Sequence, residues 1–181
     1  MAINYSVIDV LILIDYMLMI CIVDFDRTFL KNDYFMESFC IQVLKNPFYI
    51  ISHFFLEKGD LVGLKVKLLK NHKKAYDLRL LINPMVEDWI RANRDNYSKV
   101  ILVSASPDSF VKELITPLSL FDAIHGSTDV NLKGIRKVDF IKHHYGEVFD
   151  YIGDAVADLP VFNKARQAFK VTTKKIELLE K

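Results

Sequence analysis

The stretch Ile20-Cys21-Ile22-Val23-Asp24-Phe25-Asp26-Arg27-Thr28 constrains the fold more than any other part of the chain. Four apolar residues, mostly β-branched, run straight into two acids one residue apart. Such a run reads as a fully buried strand, followed by a turn that exposes carboxylates at its carboxyl end. Open parallel sheets place their chemistry at such ends. Like charges in a partly dry site repel, and a bound divalent cation is the usual reason for keeping them together. On this stretch alone, a metal-assisted site centred on Asp24 and a pair of solvated loop acids stand level.

The rest of the chain supplies the context. After a turn at residues 31–33, where Asn32 or Asp33 can cap a helix, residues 34–45 carry apolar side chains at approximate helical spacing. Helices are expected again over residues 48–58, with Pro47 near the start, and over 61–74, after Gly59 and a capping Asp60. Asn83-Pro84 breaks the chain, and residues 85–93 form an amphipathic helix with Val86, Trp89 and Ile90 on one face. From residue 99 the character changes. Strand runs at 99–106, 121–124, 149–154 and 168–172 alternate with helices at 109–114, 137–145 and 157–165. Residues 125–132 read as a polar loop broken at Gly126, and residues 174–181 as a charged tail or frayed helix. Strand–helix alternation of this kind predicts a parallel sheet with helices on both faces. The helical stretch between the first two strands is too long for a simple crossover. It reads as an inserted cap over the carboxyl ends of the strands. The expected division is an N-terminal extension or extra helix at 1–19, a core at 20–31 and 97–173, a helical cap at 32–96 and a charged tail at 174–181.

Bulk properties narrow the class. The 181 residues are 51% hydrophobic and 12% aromatic, enough for one α/β core plus an insertion. A net charge of +1 provides no global field for nucleic acid or a membrane. The two cysteines, Cys21 and Cys40, lack metal-ligand spacing and suggest no disulfide framework, which points to a reducing, cytoplasmic setting. Residues 7–23 are almost all apolar but are interrupted by Asp9 and Asp15. No basic leader or small-residue cleavage site precedes them, which argues against a signal peptide. The run approaches membrane-span length, yet each aspartate costs about 2.5–3.5 kcal/mol near a bilayer centre. Membrane contact through this segment is therefore the less favoured alternative.

In a parallel sheet the polar strand ends converge: Asp24 and Asp26, Ser104, and Asp154, with Lys137 from the loop before the third strand. Each type suits phosphoryl transfer. A carboxylate such as Asp24 can act as nucleophile. Asp26 can protonate the leaving oxygen and then activate water. Asp154 and Asp24 offer the oxygen ligands that Mg²⁺ prefers. Ser104 can donate to a phosphoryl oxygen, and Lys137 can neutralise charge that shifts during transfer. Asp158, four residues beyond Asp154, can orient a metal-bound water or Lys137.

This constellation resembles the haloacid dehalogenase-like (HAD) superfamily of aspartate-nucleophile phosphohydrolases. Asp24-Phe25-Asp26-Arg27-Thr28 matches its first motif, Val100 to Ser104 its second, Lys137 its third, and Gly153-Asp154-Ala155-Val156-Ala157-Asp158 its fourth. Any one motif is weak; four in order are specific. The resemblance implies a Rossmann-like three-layer core with a parallel sheet and an inserted helical cap. It also implies Mg²⁺ held by Asp24, the backbone carbonyl of Asp26 and Asp154. Ser104 and Ala105, with Lys137, would bind phosphate, and Thr28 and Asp158 would support the site from behind. Local strings (151–154, 157–161, 103–107 and 131–134) are also similar to the phosphatase-like domain associated with UbiA-type prenyltransferases. The chain then resembles a standalone copy or a fragment of such a domain, acting on a small phosphate ester, lipid- or prenyl-linked in one version. The alternative is a catalytically weak or inactive domain that binds or regulates a membrane prenyltransferase.

One position departs from the family pattern. Residue 27 is Arg where the family commonly has Gly, which eases the bend after the nucleophile. An Arg fits there if φ is negative, with its side chain facing the cap or solvent. In the cap region, Lys65, Lys67, Lys70, Lys73 and Lys74 read first as a solvated helix face, and second as an attractor of anionic substrate or lipid headgroups. Phe48, Tyr49, Phe54 and Phe55 read as cap core, or as the lining of an apolar pocket. A phosphorelay receiver would place its phosphoacceptor on a mid-chain strand, where this chain has Ser104. A glycosyltransferase-type Asp-x-Asp leaves the later motifs unexplained.

Overall fold

The structure, a computed structural model, describes residues 19–45, 48, 81–154 and 156–180. The expected N-terminal helix or extension lies outside the described residues, apart from Met19, and so do most of residues 48–58 and all of 61–74. The described residues form a six-stranded sheet in the order β3-β2-β1-β4-β5-β6. Its strands are β1 (Ile20–Val23), β2 (Lys99–Pro107), β3 (Ala123–Ser127), β4 (Asp150–Gly153), β5 (Ala168–Val171) and β6 (Ile176–Leu178). β1 to β5 are parallel and β6 is antiparallel to β5. The connected helices are α1 (Tyr34–Lys45), α2 (Pro84–Asn93), α3 (Asp108–Ile115), α4 (Ile135–Tyr145) and the single turn α5 (Leu159–Phe162).

Alternation along the central strands builds three layers. β1 and β2 are buried on both faces, which is why their sequences are continuous apolar runs. Cys21, Val23, Val100 and Leu102 face one core, shared with Val86 and Ile90 of α2 and Val111 and Ile115 of α3. Ile20, Ile22, Ile101 and Val103 face the other, shared with Val138 and Ile141 of α4 and Val161 and Phe162 of α5. This is the Rossmann-like core expected from the strand–helix alternation.

The strand order decides where a site can form. From β1 the chain winds outward through β2 to β3, then returns to β1's other side for β4 and β5. The order thus reverses at β1, and a crevice opens at the carboxyl end of this strand. The chain leaves the core just beyond it and comes back beside itself. Leu30 bridges Ile82 in antiparallel fashion. The Lys31 N–H donates to the Leu81 carbonyl at 2.8 Å and the Asn83 N–H to the Phe29 carbonyl at 2.8 Å. The two ends of the segment between residues 31 and 81 thus lie side by side at this point.

Three elements differ from the sequence reading. α2, assigned there to the cap, packs on the sheet: Val86 and Ile90 are fully buried, and Trp89 lies 4.9 Å from the Phe169 ring of β5. Its start is set by Asn83, whose side chain accepts the Met85 N–H at 3.2 Å, and by Pro84 in the first turn. β3 runs on through His125 and Gly126, where a loop was expected. Gly126 is needed for close approach rather than for a break: a Cβ there would lie 2.4 Å from the Asp108 Cα. Residues 176–178 are a strand, not a tail, because Ile176 and Leu178 alternate with Glu177 and pair with Val171 and Phe169. Among the described residues no helix is long and apolar enough to cross a membrane.

At the amino end of the sheet, a charged residue holds two strands in place. Asp150 is fully buried. It accepts from Arg166 Nε at 3.0 Å and Nη2 at 2.6 Å, from the Tyr97 hydroxyl at 3.0 Å and from the Gln167 N–H at 3.0 Å. Removing one member of such a cluster strands the others. Asp150→Ala is expected to cost roughly 2–4 kcal/mol, measured by urea unfolding. A loss below about 0.5 kcal/mol would show that solvent satisfies the abandoned partners.

Candidate active site

Asp24 follows β1 directly and sits in the crevice. Its N–H donates to the Ile152 carbonyl of β4 at 2.9 Å, which fixes its backbone across the switch point. Only 8% of the residue is exposed. The chain then makes one wide turn, with Phe29 N–H bonded to the Asp24 carbonyl at 3.2 Å and Leu30 N–H to the Phe25 carbonyl at 2.8 Å. Inside that turn Arg27 adopts φ 58° and ψ 4°, the left-handed region. The sequence reading, which required a negative φ for an Arg here, is corrected: the turn imposes the glycine-like conformation on a side chain that dislikes it. Nor does the side chain face solvent alone, since Arg27 Nε lies 3.3 Å from Asp154 Oδ2.

Carboxylates cluster around one lysine. Lys137 Nζ, almost fully buried, donates to Asp24 Oδ1 at 2.5 Å and lies 3.5 Å from Asp158 Oδ1. Asp24, Asp154 and Asp158 each bring a carboxylate oxygen within 4.8 Å of the others. Asp158, expected behind the site, is thus a member of the cluster. Gly153 makes this possible, because a Cβ there would lie 2.8 Å from Asp158 Oδ2 and 2.7 Å from Tyr151 Cε1. Thr28, fully buried, points its hydroxyl at Asp24 Oδ2 from 3.5 Å, the edge of hydrogen-bonding range.

Asp26, Ser104 and Ala105 stand at the neighbouring strand end. Asp26 accepts from the Ser106 hydroxyl at 2.7 Å and from the Tyr34 N–H of α1 at 3.2 Å. The Ser104 hydroxyl is buried and accepts the Ser106 N–H at 2.9 Å. The Ala105 carbonyl accepts the Ser127 hydroxyl at 3.0 Å, tying the end of β2 to β3.

Two participants escaped the sequence reading. Ser106 fastens Asp26 to β2; its only signal was a second hydroxyl two residues after Ser104. Tyr151 is fully buried, accepts from Lys137 Nζ at 3.1 Å and donates to Asp158 Oδ1 at 2.9 Å. A polar tip on a strand buried along its whole length was the available clue.

The residues fit a divalent cation on two grounds. The donor set is entirely carboxylate oxygen, which suits a hard ion such as Mg²⁺. Asp154 Oδ1 is also buried with no hydrogen-bond partner, an arrangement that costs free energy unless a cation meets it.

Comparison with known proteins places the fold. Phosphoserine phosphatase from T. onnurineus is similar with a TM-score of 0.53 and 18% identity, covering 84% of this chain and 83% of that one. A HAD-superfamily hydrolase from Ehrlichia chaffeensis gives a TM-score of 0.52 and 17% identity, over 86% and 88%. The chain has the HAD fold. It is also 29% identical over 154 residues to the uncharacterized protein y4nM of Sinorhizobium fredii, covering 83% of this chain. The match spans 29% of the length of that protein. No family model matches the chain.

Within this HAD fold the electrostatics follow from burial. Desolvation raises the Asp24 carboxyl to about 7, with Lys137 pulling down and Asp158 and Asp26 pushing up. Burial likewise raises Asp154, against the pull of Arg27. For Lys137 burial works against the ammonium, but Asp24 and Asp158 outweigh it and lift its pKa. Tyr151 is pushed well up, chiefly by burial, and stays protonated. A carboxyl whose folded pKa exceeds its unfolded value of about 3.9 binds more protons in the folded state. Its stabilising contribution is complete below about pH 4 and is lost as pH rises through about 7. The metal-free chain is therefore expected to lose stability between about pH 4 and 7 in urea titrations, with Asp24→Asn flattening that slope. Parallel profiles for the two proteins would refute this assignment.

Proposed function

We propose that the chain is a Mg²⁺-dependent phosphomonoester hydrolase that works through an aspartyl-phosphate on Asp24. The observation that carries this reading is the convergence of Asp24, Asp154 and Asp158 within 4.8 Å at the sheet's switch point, with Lys137 on Asp24. Such a concentration of negative charge repels in a dry site unless chemistry or a cation uses it. Similarity in fold to a phosphoserine phosphatase supports the same class.

In this reading Asp24 attacks phosphorus while the bond to the leaving oxygen breaks, and Asp26 gives that oxygen a proton. Asp26 then takes a proton from the water that attacks the aspartyl-phosphate, which releases inorganic phosphate and restores Asp24. Lys137 keeps Asp24 oriented and offsets charge on the transferring group. The Ser104 hydroxyl and the backbone after it receive phosphoryl oxygens. Asp24, Asp154 and the Asp26 carbonyl would hold Mg²⁺, with Asp158 beside them; the ion supplies charge neutralisation for the transferring group.

The finer parts of the reading rest on resemblance. We take the stretch tethered at residues 29–31 and 81–83 to be a helical cap that closes the crevice. The strings at 151–154 and 157–161 favour a prenyl- or lipid-linked phosphate as substrate and a prenyltransferase as functional neighbour. That would place the protein in the cytoplasm, with membrane association as the variant. One observation favours a second reading, a catalytically weak domain with a binding role: Arg27 stands on Asp154, where a metal would be needed.

Phosphate release from a generic aryl phosphate is expected only with Mg²⁺ and is expected to fall to background in Asp24→Asn. Asp26→Asn is expected to lose about 10²–10⁴-fold in kcat. A screen over sugar, amino-acid, nucleotide and prenyl phosphates then identifies the substrate class. Turnover that survives both chelation and Asp24→Asn would sink the mechanism.

A further inference from the structure

We propose that Arg27 is a tethered cation that occupies Asp154 in the metal-free protein and competes with the divalent ion for it. The inference rests on reading Asp24, Asp154 and Asp158 as a cation site. Its grounds are geometric. Arg27 Nε lies 3.3 Å from Asp154 Oδ2, while Asp154 Oδ1, the other oxygen of the same carboxylate, is buried and without a hydrogen-bond partner. One half of the ligand is engaged by the guanidinium and the other half awaits a partner. The two side chains differ in exposure: Arg27 is 53% exposed and Asp154 16%. The guanidinium therefore enters from the mouth of the crevice and can retreat to solvent, whereas the carboxylate cannot follow it.

Backbone conformation fixes where the cation starts. Arg27 is held at φ 58° by the wide turn after Asp24, a conformation that disfavours a non-glycine residue. Its Cα lies within the loop that carries Asp24 and Asp26, so the guanidinium is delivered to Asp154 at a high effective concentration. A divalent ion on Asp154 would meet a unit positive charge only a few ångströms away. Binding must break the ion pair and expel the guanidinium, so the apparent affinity is reduced by the fraction of molecules in which Asp154 is engaged. The site is thus set to load at a higher Mg²⁺ concentration than its carboxylates alone would require. Metal loading and the release of Arg27 toward the crevice mouth become one event.

Calorimetric titration of Mg²⁺ into the full chain tests this without reference to turnover. Arg27→Gln removes the charge but keeps a side chain on the left-handed residue; Arg27→Gly also removes the backbone strain. Both are expected to bind Mg²⁺ roughly two- to sixfold more tightly than the parent, because an ion pair of this exposure is worth about 0.2–1 kcal/mol. Asp154→Asn is expected to abolish the heat of binding. Tightening in Arg27→Gly but not in Arg27→Gln would assign the effect to the backbone and overturn competition. Unchanged affinity in both variants, with binding still lost in Asp154→Asn, would overturn competition while leaving the metal site in place. Absence of saturable Mg²⁺ binding in all four proteins would overturn both this inference and the reading beneath it.

Discussion

The contact between Lys137 and Asp24 is the interaction on which the upper half of the molecule depends. A lysine this deeply buried is tolerated only because carboxylates surround it, and those carboxylates tolerate one another only because it is there. The Tyr151 hydroxyl completes the set by accepting from the lysine and donating to Asp158, so that neither polar group is left bare. Each partner comes from a different element: Asp24 from the end of β1, Lys137 from α4, Tyr151 from β4, Asp158 from the turn before α5. The network fastens the two halves of the sheet at the point where the strand order reverses. The stability of this end of the sheet is therefore drawn from a few side chains of the candidate site.

The two ends of the sheet handle buried charge in opposite ways. At the amino end Asp150 has its carboxylate met from four directions, and the cluster is closed. At the carboxyl end the acids outnumber the buried lysine, one oxygen has no partner, and a half-exposed arginine reaches in from outside. Saturated polar groups rigidify; unsatisfied ones are kept where a ligand is to be met. This contrast, rather than the count of acids, separates a structural cluster from a candidate active site.

Much of the core was legible because buried parallel strands leave continuous apolar runs, and β1 and residues 100–103 of β2 are such runs. α1 was legible to the residue, since its cap and periodicity agree: Asp33 accepts the Met36 N–H at 2.9 Å. The failures have physical causes. β6 is an edge strand of three residues with only a two-residue period to announce it. β3 contains a glycine whose meaning lies in Asp108, eighteen residues earlier, and no local rule reveals that contact. α2 has an amphipathic face that fits a cap as well as a sheet, and only the tertiary partner decides. In the site, Asp24 and Asp154 were legible from their positions at strand ends, and Lys137 and Asp158 from the motifs around them. Ser106 and Tyr151 were not, because they act by holding other side chains, which is a property of the fold and not of spacing.

Arg27 shows how a backbone requirement and an electrostatic one can be met by one residue at some cost to both. The wide turn after Asp24 demands a left-handed residue. Glycine meets that demand without strain but leaves Asp154 facing Asp24 and Asp158 with Lys137 as the one buried cation among the described residues. Arginine meets the charge and accepts the strain. Strain at a non-glycine left-handed position persists only where the surroundings over-determine it, and the backbone bonds of the wide turn supply that determination. The 3.3 Å contact with Asp154 gives this strained residue a role that glycine could not fill.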